Sequence, residues 1–124
     1  MIKVTTIRLI LALATMNKWK IKQLNVTNAF LYGNVTEELY MAQSQVYVNL
    51  AHPHHVCKLH KLIYGLKQAP RAWFARLTSF IHSLYFISFK ADTSLFIFHQ
   101  NTDIIFLLVY VDDIILTGSN DALI

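Results

Sequence analysis

The residues of this sequence with the clearest chemical potential are two adjacent aspartates, Asp112 and Asp113. They separate two apolar runs, 104–111 and 114–117, whose β-branched residues predict the strands of a hairpin. Two carboxylates at such a bend repel each other and need solvent or cations. A pair of Mg²⁺ ions held there could activate a hydroxyl and stabilise a departing pyrophosphate. Taken alone, the pair also fits an ordinary polar turn.

Two helices are expected to position this hairpin. The first, from Ile7 to Lys18, is apolar almost all round, which predicts a buried helix, with Thr5 or Thr6 as its cap. The second runs from about Pro70 to Tyr85, because proline suits a first helical turn. Its core-facing stripe is predicted from helical spacing to contain Trp73, Leu77, Phe80, Ile81 and Leu84.

The remaining sequence predicts short strands and turns. Residues 20–26 and 94–99 indicate strands, and 46–50 indicates a further short one within a loop. A helical turn is expected at 27–30, and Gly33-Asn34 predicts a turn after it.

Composition places limits on the class of protein. The chain has 124 residues, 55% of them hydrophobic and 15% charged, which predicts one folded domain with apolar surface left uncovered. The net charge of +4 suits a polyanionic partner without requiring one. Cys57 is the only cysteine, so we expect a reducing, intracellular compartment and no internal disulfide. Arg8 falls where the apolar core of a signal peptide should be and the hydrophobic region left is unusually short, so neither a signal peptide nor membrane association is expected.

A histidine-rich tract offers a different class of function, a small zinc-stabilised interaction module. The spacing of its residues argues against this reading, because the candidate ligands do not form paired knuckles. The candidates are His52, His54, His55, Cys57 and His60.

Longer motifs identify a family. Residues 62–73, Leu-Ile-Tyr-Gly-Leu-Lys-Gln-Ala-Pro-Arg-Ala-Trp, and residues 107–118 around Tyr-Val-Asp-Asp resemble two blocks of the reverse transcriptases of copia-type retrotransposons. Shorter matches follow the family in order at 8–13, 23–24, 29–31 and 38–41. The resemblance therefore covers about residues 7–120.

The resemblance implies an α+β fold: a reverse-transcriptase palm with part of the fingers, built on a small antiparallel sheet with helices packed on one face. Residues 1–124 would be a partial domain that lacks the thumb and RNase H. The family's reaction is attack of a primer 3′-hydroxyl on a deoxynucleoside triphosphate with two Mg²⁺ ions. The implied partners are an RNA or DNA template-primer, the nucleotide and the remaining polyprotein domains, including integrase, in a cytoplasmic particle or the nucleus.

The resemblance also assigns roles to residues. Asp112 and Asp113 match the paired metal ligands of the hairpin, and Val26 would offer a backbone carbonyl to the second metal. Phe30 matches the residue under the sugar of the incoming nucleotide, although an aromatic ring there is equally a core residue. The nucleotide or template backbone would be met by Gln68, Lys67 and Arg71, which otherwise form a solvated helix start.

The chain departs from the family's pattern at the third catalytic position, where Asn25 stands in place of the first metal-binding aspartate. An amide brings no negative charge to a site for two cations, so we expect weakened Mg²⁺ binding and impaired catalysis. Residues 44–47, Tyr85 and Thr93 also depart from the pattern. The alternative is a non-catalytic palm remnant that binds nucleic acid or a protein.

Overall fold

A five-stranded antiparallel sheet carries the two aspartates in the computed structural model, which describes residues 1–33, 35 and 37–124. The chain divides into two units, residues 1–27 with 77–124 and residues 28–76. In chain order, the elements are α1 (Val4–Met16), β1 (Ile21–Asn25), a 3₁₀ turn (Ala29–Tyr32), β2 (Tyr40–Ala42), β3 (Val56–Lys58), α2 (Ala69–Ser83), β4 (Ile87–Phe89), β5 (Asp92–Gln100), β6 (Asp103–Tyr110), β7 (Asp113–Gly118) and a short 3₁₀ turn (Asp121–Leu123).

The sheet has the strand order β1-β7-β6-β5-β4, so the hairpin of β6 and β7 lies between β1 and β5. The two strands of this hairpin form where β-branched residues are dense, as the sequence predicts. Side chains of a strand alternate between the two faces of a sheet. Leu108 and Ile115 are register partners on one face, and Val109 and Ile114 are partners on the other. The predicted strands at 20–26, 94–99, 104–111 and 114–117 are confirmed to within two residues at each end.

Both faces of the central strands are apolar and buried, which requires cover on both sides. One face packs with α1 in a cluster of Ile2, Ile10, Leu95, Phe106 and Leu108. On the other face, the α2 residue His82 meets the ring of Phe96 edge-on, with a centroid separation of 5.8 Å. Because Leu95 and Phe96 are consecutive in β5, these contacts fall on opposite faces. The expectation that the helices pack on one face is therefore wrong, although the α+β class and the antiparallel sheet are confirmed.

Helix α1 is less buried than its composition predicts. Its buried residues are Thr6, Ile10 and Ala14, which follow one row at a spacing of four, while Leu9 is 56% exposed. Because apolar residues surround this helix on all sides, its sequence does not indicate which of them face the sheet. Ile21 and Leu24 of β1 are also about half exposed, at 47% and 48%, which confirms the expectation of uncovered apolar surface.

The start of α1 is capped from a distant strand and not by the predicted threonines. The backbone N–H of Lys3, the N-cap residue, donates to Asp92 Oδ2 at 2.7 Å. The N–H of Ser94 donates to Asp92 Oδ1 at 3.1 Å, and the Thr6 side chain makes a further hydrogen bond to this carboxylate. Burial raises the pKa of Asp92, but these hydrogen bonds and the Lys3 charge outweigh it, so the pKa lies below the ordinary value of 3.8. Asp92 thus ties the helix start to β5.

Replacing this cap tests its contribution. The Asp92→Asn variant is expected to lower the free energy of unfolding by about 1–3 kcal/mol at pH 7, because charge-assisted hydrogen bonds to buried N–H groups are lost. A carboxyl whose pKa is depressed by folding stabilises the protein above its unfolded pKa and stops doing so as the pH falls through its folded pKa. The difference between variant and wild type should therefore shrink below about pH 4. Urea denaturation at pH 7 and pH 3 measures both effects.

The matched control for this prediction is Asp121→Asn. Asp121 forms an exposed ion pair with Lys20 at 3.1 Å, and such pairs contribute at most about 1 kcal/mol. Equal losses of stability in the two variants would contradict the capping role of Asp92.

Helix α2 confirms the predicted helix to within two residues, but its buried stripe is narrower than predicted. The buried residues Ala69, Trp73, Leu77 and Ile81 are each four positions apart. Phe80 is 61% exposed, and Leu84, 46% exposed, follows the end of the helix. Because an α-helix has 3.6 residues per turn, residues four apart follow a line that winds slowly around the axis. Side chains to one side of that line, such as Phe80, remain in solvent.

The second unit contains a two-stranded antiparallel sheet, in which Met41 pairs with Cys57. Residues 46–50, all of them described, form turns and loop in place of the predicted short strand. The predicted turn at Gly33-Asn34 includes a position outside the described residues. Within the described ranges, neither helix is long and apolar enough to cross a bilayer.

Candidate active site

The tip of the β6–β7 hairpin is a two-residue turn formed by Val111 and Asp112. Tyr110 and Asp113 are register partners, so Asp113 is the first residue of β7 and not part of the turn. The sequence predicted Asp112 and Asp113 as the two tip residues, and the turn is one residue earlier. Val111 has a φ of 54°, the left-handed region that two-residue hairpin turns require. Both aspartates are half-buried and lie at the tip end of the hairpin.

The end of β1 lies directly beside this tip. Asn25 is the register partner of Asp113, and its side-chain nitrogen donates to Asp113 Oδ1 at 3.0 Å. The N–H of the following residue, Val26, donates to the carbonyl of Asp112 at 2.9 Å. The structure therefore brings together four predicted site residues from two distant parts of the sequence: Asn25, Val26, Asp112 and Asp113.

These side chains offer two carboxylates and one amide to a cation. Such a site needs several oxygen ligands with enough negative charge for both ions. Asp112 and Asp113 supply two carboxylates, whereas the Asn25 side chain directs hydrogens towards one of them. Across residues 1–33, 35 and 37–124, no group of three His, Cys, Asp or Glu side chains could hold a metal ion. The Asn25 amide is the member of this donor set that does not match the pair of Mg²⁺ ions implied by the sequence resemblance.

The other candidate residues lie in the second unit. Phe30 is buried, and its ring lies 4.3 Å from the ring of Tyr64, measured between centroids. Tyr64 is inside the long motif at 62–73, but no sequence pattern singles it out, because contact between residues 34 positions apart has no local signal. The Phe30 ring therefore has a packing partner, in keeping with the alternative that it is a core residue.

The predicted phosphate contacts surround the start of α2. The carbonyl of Gln68 accepts from the N–H of Ala72 at 3.0 Å, so Gln68 joins the first turn of the helix. Lys67 and Arg71 are exposed on either side of it. Two cationic side chains at a helix N-terminus are a favourable environment for an anion.

The histidine tract is organised by hydrogen bonds. Gln43 Nε2 donates to the carbonyls of His52 and His55, both at 2.8 Å, and Gln43 Oε1 accepts from the N–H of Asn49 at 2.7 Å. The rings of His52 and His55 stack, with centroids 4.3 Å apart. Sequence reasoning missed Gln43, whose three contacts fold this loop. The zinc alternative gains no support from the described residues.

Comparisons with known proteins agree on one family. The family model for "Reverse transcriptase (RNA-dependent DNA polymerase)" matches residues 1–124. The chain is similar to the Retrovirus-related Pol polyproteins from transposons RE2 and RE1 of Arabidopsis thaliana, with 47% and 45% identity over 123 residues. The corresponding protein from transposon TNT 1-94 of Nicotiana tabacum is 42% identical over 125 residues. These alignments cover 99% of this chain but only 8–9% of each relative. No solved structure matches the chain.

Proposed function

The chain belongs to the reverse transcriptase family of copia-type Pol polyproteins, and from this premise we propose that it is the palm segment bearing the polymerase hairpin, in a form impaired for nucleotidyl transfer. The impairment is supported above all by one observation, the hydrogen bond from Asn25 to Asp113 at 3.0 Å. It occupies an oxygen that the family's chemistry requires for a cation.

The reaction of the parent domain is templated joining of a primer 3′-hydroxyl to a deoxynucleoside triphosphate. In this proposal, Asp112 and Asp113 are the remaining acidic groups of the catalytic centre, and Asn25 is its altered third member. The Val26 carbonyl would face the same centre, because its N–H is bonded to Asp112 in the adjoining turn. With two carboxylates instead of three, the centre would bind the two cations more weakly than the family's site does.

Residues of the second unit would contact the nucleotide and the template. Lys67, Gln68 and Arg71 would meet phosphate groups, supported by their exposure or partial exposure around the start of α2. Phe30 would limit the space under the sugar of the incoming nucleotide. The tight packing of its ring against Tyr64 would hold it in one orientation for that role.

A primer-extension assay tests the impairment. The purified chain is expected to extend a primed RNA template to no measurable degree in either Mg²⁺ or Mn²⁺, because the centre lacks a carboxylate that stabilises the transition state. Denaturing gels with labelled primer measure the products.

Two variants separate the chain's own activity from that of a contaminating polymerase. Extension that disappears in Asp112→Ala and persists in Asp121→Ala, an exposed position outside the centre, would overturn the proposal. Extension that is the same in all three proteins would identify a contaminant and leave the chain itself inactive, as proposed.

A further inference from the structure

The junction between β1 and the hairpin is held by polar contacts at consecutive residues. The main-chain contact joins the N–H of Val26 to the carbonyl of Asp112, and the side-chain contact joins Asn25 to Asp113. β1 has β7 as its neighbour in the sheet and stands at the edge of the strand order. All five β1 side chains are exposed. β1 is paired with β7 along its length, and the Asn25 side chain adds a contact at the end of that ladder, where burial contributes little.

The stability of this junction depends on whether the side chain of residue 25 can donate a hydrogen bond to Asp113. A carboxylate in place of the Asn25 amide would set two acceptors against each other about 3 Å apart, since neither side could donate a hydrogen bond. A cation between them would relieve this repulsion. The amide instead supplies a donor, so the pair is satisfied without any ion.

We propose that Asn25 is a positioning residue that performs the structural task of a cation, by fastening the end of β1 to the hairpin through Asp113. This inference rests on the proposed function, in which Asn25 is the altered third member of the catalytic centre. It adds that the substitution is compatible with a folded palm because it removes the need for metal.

Thermal unfolding with and without divalent cations tests this inference. For the wild-type chain, Tm is expected to be the same in EDTA and in millimolar Mg²⁺ or Mn²⁺. The Asn25→Asp variant should unfold about 3–5 °C lower in EDTA because of the new carboxylate pair, and added cation should restore it. The Asn25→Ala variant should lose a similar amount in both conditions, since it can neither donate to Asp113 nor bind a cation.

A matched control is Asn49→Asp, which makes the same charge change at an exposed position. Asn49 Oδ1 accepts from the N–H of Ala51 at 2.9 Å, and an aspartate keeps that acceptor. This variant should show no response of Tm to cations. Binding of Mn²⁺, followed by electron paramagnetic resonance, gives a second readout if Asn25→Asp unfolds in EDTA. The affinity of the Asn25→Asp variant for Mn²⁺ should exceed that of the wild-type chain by at least about tenfold.

Two results would overturn the inference. One is a wild-type Tm that rises with Mg²⁺ as much as that of Asn25→Asp. The other is an Asn25→Asp variant as stable as wild type in EDTA. Neither Tm nor Mn²⁺ affinity involves catalysis. Primer extension by the wild-type chain would therefore contradict the proposed function, whereas the role of Asn25 at the junction is decided by the Tm values alone.

Discussion

In a complete polymerase, the Asn25→Asp form of this segment is expected to copy a primed RNA template at least about a thousandfold faster than the unaltered segment, equivalent to about 4 kcal/mol of transition-state stabilisation. The host can be the Nicotiana tabacum relative, because it aligns with 99% of this chain at 42% identity. The added carboxylate would release Asp113 from its hydrogen bond to Asn25 and supply the missing charge. Single-turnover incorporation of one nucleotide measures the rate.

Two further chimeras control for effects unrelated to the centre. Asn49→Asp adds the same charge outside it and should leave the rate unchanged, because Asn49 lies in the loop folded by Gln43. Asp112→Ala combined with Asn25→Asp should return the rate to background. Equal rates for the Asn25 segment and its Asn25→Asp form would show that this position does not limit catalysis.

The second large effect concerns the core. Phe96→Ala is expected to lower the free energy of unfolding by about 3–5 kcal/mol, because a fully buried aromatic side chain leaves a cavity that its neighbours fill only in part. Phe96 is 0% exposed and lies opposite Leu107 in the middle of the sheet. Urea denaturation followed by circular dichroism measures the loss.

Phe80→Ala makes the same chemical change on the exposed side of α2. Phe80 is 61% exposed, so the loss should stay below about 1 kcal/mol, and the better helix propensity of alanine offsets part of it. Comparable losses in the two variants would contradict the assignment of Phe96 to the core.

The strands of the hairpin could be predicted from the sequence because their signal is local. Dense β-branched runs locate β6 and β7 without knowledge of their neighbours. The position of the turn could not be predicted as well. Aspartate is common in turns and valine is rare in the left-handed region, so local preference pointed to Asp112-Asp113. The pairing of Tyr110 with Asp113 overrides that preference.

Burial was harder to predict than secondary structure. In α1, Leu9 and Ile10 have similar hydrophobicity, yet one is 56% exposed and the other 1%. The difference depends on which row of the helix meets the sheet, and that is a tertiary property. The same applies to the cap of α1, since Asp92 is 89 positions from Lys3. No local pattern links the two.

The candidate site was predicted through its motifs and not through composition. The family pattern marked Asn25 as the counterpart of a catalytic aspartate, and the register of β1 with β7 sets it opposite Asp113. The pattern could not predict that the Asn25 amide donates to that carboxylate, because the orientation of an amide depends on its neighbours. The metal-independent contact that we propose depends on that orientation.

The backbone of Val111 has a consequence for the order in which the hairpin folds. A β-branched residue at a φ of 54° is costly, by about 1–3 kcal/mol, where glycine or asparagine would be comfortable. We therefore expect the turn not to nucleate the hairpin but to close after the apolar pairs Leu108–Ile115 and Val109–Ile114 have drawn the strands together. On this expectation, the segment that bears the aspartates is among the last parts of the sheet to acquire its native conformation.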